Sequence, residues 1–187
     1  MTGVKQTVTD AELIRRYRNG DQTAFETLYA RYRKPLYSYL NGMLPGNPAR
    51  VDDLYQQAWL KALDSLSRYR DRQKFLAWLF RIAHNTAVDA MRREKHTETL
   101  KDADCLPAPA RDTPGDNDRR RELHASIEQA VNALPTEQAE VFRLRQQNMS
   151  FKEIAGIQKV SVNTVLGRMR YATKKLQKKL AAWREFG

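Results

Sequence analysis

The chain has 187 residues and a formal net charge of +11, which is enough sequence for two small domains and favours a polyanionic partner, with solvated surface lysines as the alternative. Its single cysteine, Cys105, excludes an intramolecular disulfide and fits a reducing cytosol. The first residues lack the apolar run of a signal peptide, and no stretch approaches the roughly 20 apolar residues that span a bilayer, so we expect a cytoplasmic protein without membrane insertion.

Residues 1–96 predict four helices, because apolar side chains recur at helical spacing and no run alternates apolar and polar residues as a strand would. Asp10 is the expected cap of a first helix that ends at about Asn19, and Asp21 starts the second. We expect Pro35 to kink the second helix, since proline removes a backbone donor and crowds the preceding turn. The apolar stripe of this helix comprises Phe25, Leu28, Tyr29, Tyr32, Leu36, Tyr39, Leu40 and Met43.

The third and fourth helices are predicted from about Val51 to Leu66 and from Phe75 to about Glu94. The third turns Leu54, Ala58, Leu63 and Leu66 inward. Its other face suits a protein partner, although an ordinary amphipathic helix has the same pattern. The fourth is apolar on more than one face and should lie centrally, with Trp78 in the core and His84 as a structural or surface histidine. Outside its apolar stripe lie Asn85, Asp89, Arg92 and Arg93, which suit base edges and phosphates or form a solvated face.

Residues 97–118 change in character. Three prolines and five aspartates leave no periodic apolar face there, so we expect a flexible linker. Residues 97–119 carry 3 basic and 6 acidic side chains, whereas residues 1–96 and 120–187 each have a net charge of +7. Two basic domains would therefore flank an acidic connection.

Residues 119–187 predict a second domain of four helices that ends in a helix-turn-helix. Thr136 is the expected cap of its second helix, Ser150–Ala155 is a short helix, Gly156–Val160 is the turn, and Ser161 opens a basic helix. Apolar side chains fall where two crossed helices must pack, at Ile154, Ala155, Val160, Val165 and Met169. The opposite face carries Thr164, Arg168, Tyr171 and Lys175 at helical spacing, the layout of a helix lying in a DNA major groove.

Four segments, in order, resemble the extracytoplasmic-function (ECF) RNA polymerase sigma factors, two-domain members of the sigma-70 family. The resemblance runs from about Asp10 to Leu180. The segments are Gly20-Asp-Gln-Thr-Ala-Phe25 with Leu28-Tyr29, Asp53-Leu-Tyr-Gln-Gln57 with Trp59-Leu-Lys61, Phe75-Leu-Ala-Trp78 with Ile82-Ala-His-Asn85, and Leu134-Pro135 followed by Ser150-Phe-Lys-Glu-Ile-Ala155 and Ser161-Val-Asn-Thr-Val165. Each is weak alone, whereas all four in this order are specific.

The resemblance implies an all-α fold of two small helical domains joined by a flexible linker, the C-terminal one a four-helix domain with the helix-turn-helix. Residues 1–96 would be conserved region 2, which binds core polymerase and recognises and melts the −10 promoter element. Residues 97–118 would be the acidic linker. Residues 119–187 would be region 4, which reads the −35 element as duplex. Together they would direct transcription initiation, of a stress- or signal-responsive gene set.

The family's site residues carry over onto matching positions of this chain. The implied polymerase contacts, to the clamp helices of the largest subunit, are Asp53, Gln56, Gln57 and Trp59. The implied −10 contacts are Ser65, Tyr69, Asn85, Asp89, Arg92 and Arg93, of which Ser65, Tyr69 and Asn85 would line a pocket for a flipped base. The implied −35 contacts are Ser161, Asn163, Thr164, Arg168, Tyr171, Lys174 and Lys175. The implied partners are core RNA polymerase, through its clamp helices and flap, promoter DNA and an anti-sigma factor. No cofactor, metal or catalytic activity is implied.

Four positions depart from the family pattern. Gln57 stands where an acidic residue is usual, and Lys159 replaces a common turn glycine. Leu166 and Gly167 replace a basic residue and a serine early in the recognition helix, where glycine costs about 1 kcal/mol of helix propensity. These departures bear on the promoter sequence rather than on the class of protein.

Two other functions remain open from the residues alone. A stand-alone regulator of duplex DNA fits the helix-turn-helix but leaves the face between Asp53 and Lys61 unexplained. An enzyme acting on nucleic acid needs a site, and none can be assembled from the sequence. The three histidines, His84, His96 and His124, are scattered, and no phosphate-binding glycine loop is present.

Overall fold

The computed structural model describes residues 8–70, 74–98 and 118–181, without the side chains of 95–98, 118–121 and 124, and these residues form eight helices and no strand. The helices are α1 Asp10–Arg18, α2 Gln22–Met43, α3 Pro48–Leu66, α4 Phe75–Glu98, α5 Asp118–Asn132, α6 Thr136–Gln146, α7 Phe151–Gln158 and α8 Val162–Lys179. The all-α fold class is confirmed. Most of the predicted linker, 99–117, lies outside the described residues.

The N-terminal helix is capped differently from the prediction. Thr9, not Asp10, caps α1, because its hydroxyl accepts a hydrogen bond from the first turn. Asp10 lies within the helix and accepts hydrogen bonds from Arg31 and Tyr32 of α2, so its carboxylate joins two helices. Asp21 precedes α2 as expected and caps it.

Two helices of the N-terminal domain are longer than predicted. Asn47 caps α3, and Pro48 occupies its first turn, where the missing backbone N–H has no helical partner to lose. Helix α4 runs one turn past Glu94. Leu63, predicted to face inward, is only half-buried, because the buried face of α3 passes through Tyr55 and Trp59 instead. Pro35 lies inside α2, which continues on both sides of it.

The helix-turn-helix also has different boundaries from those predicted. Thr136 does not cap α6, because the helix starts at Thr136 itself and the preceding proline has no side chain to donate or accept. Ser150 and Glu153 form a reciprocal capping box that begins α7. This helix continues to Gln158 rather than ending at residue 155, so Gly156 is helical. The chain turns at Lys159, whose φ of +55° is the left-handed conformation that ends many helices.

The hydrophobic core is continuous between the two halves of the chain. The main cluster contains buried side chains of α1 to α4 together with Val141, Leu144, Met149, Ile154, Ala155, Ile157 and Val165. A smaller cluster, centred on Val131 and Leu176, joins α5, α6 and α8. Helix α2 packs on α6, and α4 packs on α7. The two predicted domains are therefore packed against each other, which the sequence did not predict. None of the described helices is long and apolar enough to cross a bilayer.

Candidate polymerase and promoter interfaces

Helix α3 presents a polar face with one large apolar side chain in it. Asp53, Gln56 and Gln57, predicted to contact polymerase, are all exposed. Leu60 follows one turn later on the same face and is 61% exposed. An exposed leucine ringed by polar side chains has the composition of a protein–protein contact, where an apolar centre is surrounded by a polar rim.

Trp59 does not belong to that exposed face. It is only 5% exposed, and its ring packs against Phe25 at 5.8 Å and Tyr29 at 4.9 Å between ring centroids. Its indole packs between α3 and α2, behind the exposed face. The sequence prediction included the buried Trp59 and left out the exposed Leu60, although the helical spacing from Gln56 places Leu60 on the same face.

A groove with a volume of about 740 Å³ runs between α2 and α3 beside this face, and Gln56 forms part of it. Its walls carry three tyrosines and two cations: Tyr29, Tyr37, Tyr55, Arg33 and Lys34. A hydrogen bond to Asp52 raises the pKa of Tyr37, and burial raises the pKa of Tyr55, so both phenols stay neutral donors. The groove extends the α3 face into a mixed aromatic and basic surface.

The predicted polymerase and −10 residues adjoin between α3 and α4. Asp53 and Gln57 line a shallow depression of about 250 Å³ together with Arg93 of α4. An ion pair between Arg50 and Glu94 closes the same depression. Arg93 therefore lies where the two predicted surfaces meet.

Tyr69, predicted to line a base pocket, is 8% exposed. Its ring packs on Trp78 at 4.6 Å and meets Phe75 edge-on at 5.7 Å between centroids. Trp78 is half-buried rather than fully in the core. A base could use this aromatic cluster as a stacking platform only on the half-exposed side that Trp78 presents.

Arg18 holds the end of α3 in place. Its Nη2 donates to the carbonyl oxygen of Leu66 at 2.6 Å and to that of Tyr69. The last carbonyls of a helix have no helical partner, so this guanidinium satisfies two acceptors next to Ser65. Ser65 itself is half-buried. The sequence offered no signal for this contact, because 48 residues separate Arg18 from Leu66.

The other predicted −10 residues lie along α4. Asn85 is half-buried, and Asp89, Arg92 and Arg93 are exposed. Helical spacing brings Asn85, Asp89 and Arg92 onto one face. That face joins an amide, which can bond a base edge, to one cation that can neutralise phosphate, with the carboxylate of Asp89 between them.

The predicted −35 residues line one side of α8. Ser161 caps the helix by accepting from Thr164 N at 3.1 Å, and Tyr171 is 62% exposed. The others on the exposed surface are Asn163, Thr164, Lys174 and Lys175. Two exposed apolar residues, Val162 and Leu166, were not predicted to contact DNA. They suit contact with thymine methyl groups in the major groove.

Arg168 is the exception on this face, because a neighbour already holds it. Its Nη1 donates to Gln158 Oε1 of α7 at 2.7 Å, and the side chain is half-buried. Gln158 in turn donates through Nε2 to Glu140 of α6, also at 2.7 Å. Glu140 is a buried carboxylate at the contact between the two domains, and the sequence had not marked it as functional.

Comparison with known protein families matches both halves of the chain. Residues 28–97 match the model of Sigma-70 region 2, and residues 124–176 match that of Sigma-70 region 4. The RNA polymerase sigma factor CarQ of Myxococcus xanthus is 31% identical over 169 residues, which cover 89% of this chain and 95% of CarQ. The ECF RNA polymerase sigma-E factor of Escherichia coli K12 is 28% identical over 187 residues, covering 95% of this chain and 97% of sigma-E.

Two solved structures resemble the fold. The sigma factor RpoE of Bartonella quintana, in complex with the anti-sigma factor NepR, has a TM-score of 0.71 at 21% identity and covers 84% of this chain and 96% of that one. CnrH, in complex with the cytosolic domain of CnrY, has a TM-score of 0.65 at 28% identity and covers 92% and 97%. Both sigma-70 regions match in order, and the relatives match over most of their length. The chain therefore belongs to the sigma-70 family, as an ECF RNA polymerase sigma factor that directs transcription initiation.

Proposed function

We propose a division of labour among three surfaces of this sigma factor. The face of α3 around Leu60 binds the clamp helices of core RNA polymerase. Helix α4 and the end of α3 contact the −10 element, and α8 reads the −35 element in the major groove. Residues 1–96 and 119–187 act as the two functional domains, with 97–118 as their connection.

Leu60 is the observation that carries the polymerase part of this proposal. It is the large apolar side chain on a face that is otherwise polar, and it lies within one helical turn of Gln56 and Gln57. Burying a leucine contributes about 1.5–3 kcal/mol, so Leu60 would supply binding free energy. The polar side chains around it would fix the orientation of the bound partner. Gln57 lacks the charge that is usual at its position, which places more of the binding energy on Leu60.

The DNA part rests on charge and exposure along α8. Its C-terminal half carries Lys174, Lys175, Lys178 and Lys179, all exposed. These lysines suit the phosphate backbone, whereas the exposed side chains from Ser161 to Arg168 lie where a recognition helix meets base edges. Binding should accordingly weaken as salt concentration rises.

Four further proposals follow from the family. The protein acts in the cytoplasm, where polymerase and promoter DNA are found, and it contributes binding rather than catalysis. An anti-sigma factor holds it inactive, as RpoE of Bartonella quintana, a protein of similar fold, was solved in complex with the anti-sigma factor NepR. The genes it serves respond to a stress or signal.

Two matched substitutions test the division of labour. Leu60→Glu and Leu166→Glu each place a charge on an exposed leucine, 61% exposed on α3 and 43% on α8. Leu60→Glu should abolish co-elution with core polymerase in gel filtration and leave binding to a −35 duplex unchanged. Leu166→Glu should abolish binding to the −35 duplex and leave co-elution with core polymerase unchanged, because a carboxylate at the start of α8 repels phosphate.

The pattern of losses decides the proposal. If Leu60→Glu co-elutes with polymerase as wild type does, α3 is not the docking face. If Leu166→Glu binds duplex DNA normally, α8 does not enter the groove. Circular dichroism of both variants must match wild type, since both side chains are exposed and neither supports the core.

A further inference from the structure

The two domains meet around one buried carboxylate. Glu140 of α6 is 4% exposed, and its Oε1 faces two side chains of the N-terminal domain. Tyr39 of α2 donates its hydroxyl to this oxygen, and Nδ1 of His84 on α4 lies 2.7 Å from it. An ionised carboxylate only accepts, so Nδ1 of His84 carries the proton in this contact.

The surroundings keep the Glu140 carboxylate charged. Burial disfavours its charge, but hydrogen bonds from His84, Tyr39 and Gln158 outweigh burial and hold its pKa below the ordinary value. Burial and the adjacent Glu140 charge raise the pKa of Tyr39 well above its ordinary value, so the phenol remains a donor. Hydrogen bonds to a buried charge are among the stronger ones, and removing one donor leaves that charge poorly solvated.

A second contact between the domains lies at Gly42 of α2, which has no side chain. Arg143, one turn after Glu140, lies across Gly42 of α2. A Cβ added at Gly42 would lie 2.7 Å from Arg143 Cδ and 2.8 Å from Cζ, well inside contact distance. Arg143 also donates to Asn132 at 2.6 Å, which holds its guanidinium over the glycine. A side chain at position 42 would therefore have to displace the Arg143 side chain from its place on α2.

The interdomain contact is connected to the DNA-reading helix. Gln158 donates to the second oxygen of Glu140 and accepts from Arg168, with both distances 2.7 Å. The chain of hydrogen bonds thus runs from Tyr39 and His84 in the N-terminal domain to a side chain on the −35 face. Docking of the domains and the position of Arg168 are coupled through two residues.

The docked arrangement is too compact for a promoter. Elements at −10 and −35 are about 25 base pairs apart, or about 85 Å at 3.4 Å per base pair. A compact chain of this length has a radius of gyration of about 16 Å and is therefore about 40 Å across. With α4 packed directly on α7, the surfaces of α4 and α8 cannot reach both elements at once.

We propose that Tyr39, His84 and Glu140, with Arg143 seated on Gly42, form an autoinhibitory latch that holds the free sigma factor closed until core polymerase separates the domains. This inference rests on the proposed two-element recognition. In the closed state the α8 surface stays open to solvent, so the free protein still binds −35 duplex. It cannot place α4 on the −10 element of the same promoter until the latch opens.

Fluorescence energy transfer within the full-length chain measures the latch without reference to transcription. Donor and acceptor are attached at Glu26→Cys on α2 and Gln177→Cys on α8, both exposed, in a Cys105→Ser background. The free protein should show high transfer, and core polymerase should lower it. Tyr39→Phe keeps the ring, which packs on Phe80 at 4.8 Å, and deletes only the hydroxyl. It should raise the open-to-closed ratio by about tenfold, as expected for one hydrogen bond to a charged group.

A pair of glycine substitutions separates the latch from general damage. Gly42→Leu should lower transfer strongly, whereas Gly156→Leu adds the same bulk on α7 where nothing lies within 4 Å of a new Cβ, and should leave transfer unchanged. Adding Arg143→Ala to Gly42→Leu should recover part of the lost transfer, because it removes the atoms that the leucine strikes while Tyr39 and His84 still bond Glu140. Unchanged transfer in Gly42→Leu would mean that Arg143 moves aside without opening the domains, and it would overturn the part of Arg143 and Gly42 in the latch.

Transcription with limiting core polymerase then tests autoinhibition itself. Tyr39→Phe should reach half-maximal output at a lower sigma concentration than wild type. Equal output from a demonstrably open Tyr39→Phe protein would overturn autoinhibition, as would high transfer that persists within a holoenzyme isolated by gel filtration. If wild type shows high transfer but never associates with polymerase, the proposed function fails while the latch stands.

Discussion

At the scale of single residues, Arg168 has two competing partners. Its guanidinium donates to Gln158 in the free protein, yet it lies on the face of α8 that we propose reads DNA. An arginine that reads guanine uses two donors at once, so a contact through both terminal nitrogens of Arg168 would replace its bond to Gln158. The free energy that Arg168 contributes to DNA binding is therefore the difference between its contact with the base and its contact with Gln158.

Arg168→Ala should weaken binding to a −35 duplex by about 1–3 kcal/mol if a guanine is its target. The matched control is Arg15→Ala, which removes the same charge from an exposed position on α1, outside the proposed reading helix. Titration of specific and scrambled duplexes by fluorescence anisotropy separates the two. Arg168→Ala should lose affinity only for the specific duplex, and equal losses on both duplexes would remove Arg168 from base reading.

The difference between Trp59 and Leu60 shows how far residue roles could be predicted from the sequence. Helical spacing correctly placed Asp53, Gln56 and Gln57 at the surface. The motif alone suggested Trp59 as a contact, but aromatic neighbours from α2 bury it. Those neighbours belong to another helix, and the spacing of residues within α3 carries no information about them.

At the scale of elements, the turn between α7 and α8 carries a local strain. Lys159 has φ +55°, a conformation that costs a side chain with a Cβ about 1–2 kcal/mol. The turn nevertheless forms, because the capping box of Ser150 fixes the start of α7 and Ser161 caps α8 immediately afterwards. The departure from glycine at Lys159 is tolerated by the caps on either side.

Lys159→Gly should therefore raise the free energy of unfolding by about 0.5–1 kcal/mol, because glycine adopts positive φ without strain but loses more entropy on folding. Lys159→Ala is the control, since alanine keeps the Cβ and the penalty. Thermal melts followed by circular dichroism give the comparison. If alanine stabilises as much as glycine, strain at residue 159 is not the cause.

The spacing of apolar residues predicted the helices themselves more reliably than the residues at which they begin and end. All eight helices were predicted, because each carries apolar residues at helical spacing. The errors lay at the helix ends. Asp10 accepts a hydrogen bond from α2 instead of capping α1, and Gly156 lies within α7 instead of in the turn. A residue such as Asp10 suits a cap by its chemistry, and only tertiary contacts decide whether it serves as one.

At the scale of the whole molecule, the main finding is the docking of two domains that sequence reasoning treated as independent. The buried Glu140 lies 101 residues from Tyr39 and 56 from His84, so no local pattern connects them. An acidic residue between Ala139 and Val141, in an otherwise inward-facing stretch, was the available signal. Its partners belong to the other domain, and only the structure identifies them.

The docking of the two domains should weaken at acidic pH, because Glu140 becomes protonated. Its pKa is lowered in the closed state, so the open state takes up a proton first as the pH falls. The stabilisation of the closed state by ionised Glu140 is fully present above the ordinary pKa of 4.5 and is lost as the pH drops through the lowered pKa. Tyr39, His84, Gln158 and Arg143 are the polar groups that face it.

Energy transfer measured from pH 7 to pH 3 should fall at the acidic end in wild type. Glu140→Gln should start lower and lose this step, because its amide does not titrate in that range. A wild-type profile without an acidic step, in protein that circular dichroism shows to be folded, would mean that Glu140 does not hold the domains together.

Transcription from a library of promoter fragments by core RNA polymerase, with and without this protein, tests the central claim most directly. Sequencing the transcripts identifies each start site. The protein should produce starts that core polymerase alone does not, with two shared upstream elements spaced as −10 and −35 sites. Start sites unchanged by the protein, with polymerase shown to be active on other templates, would contradict its assignment as a promoter-recognition subunit.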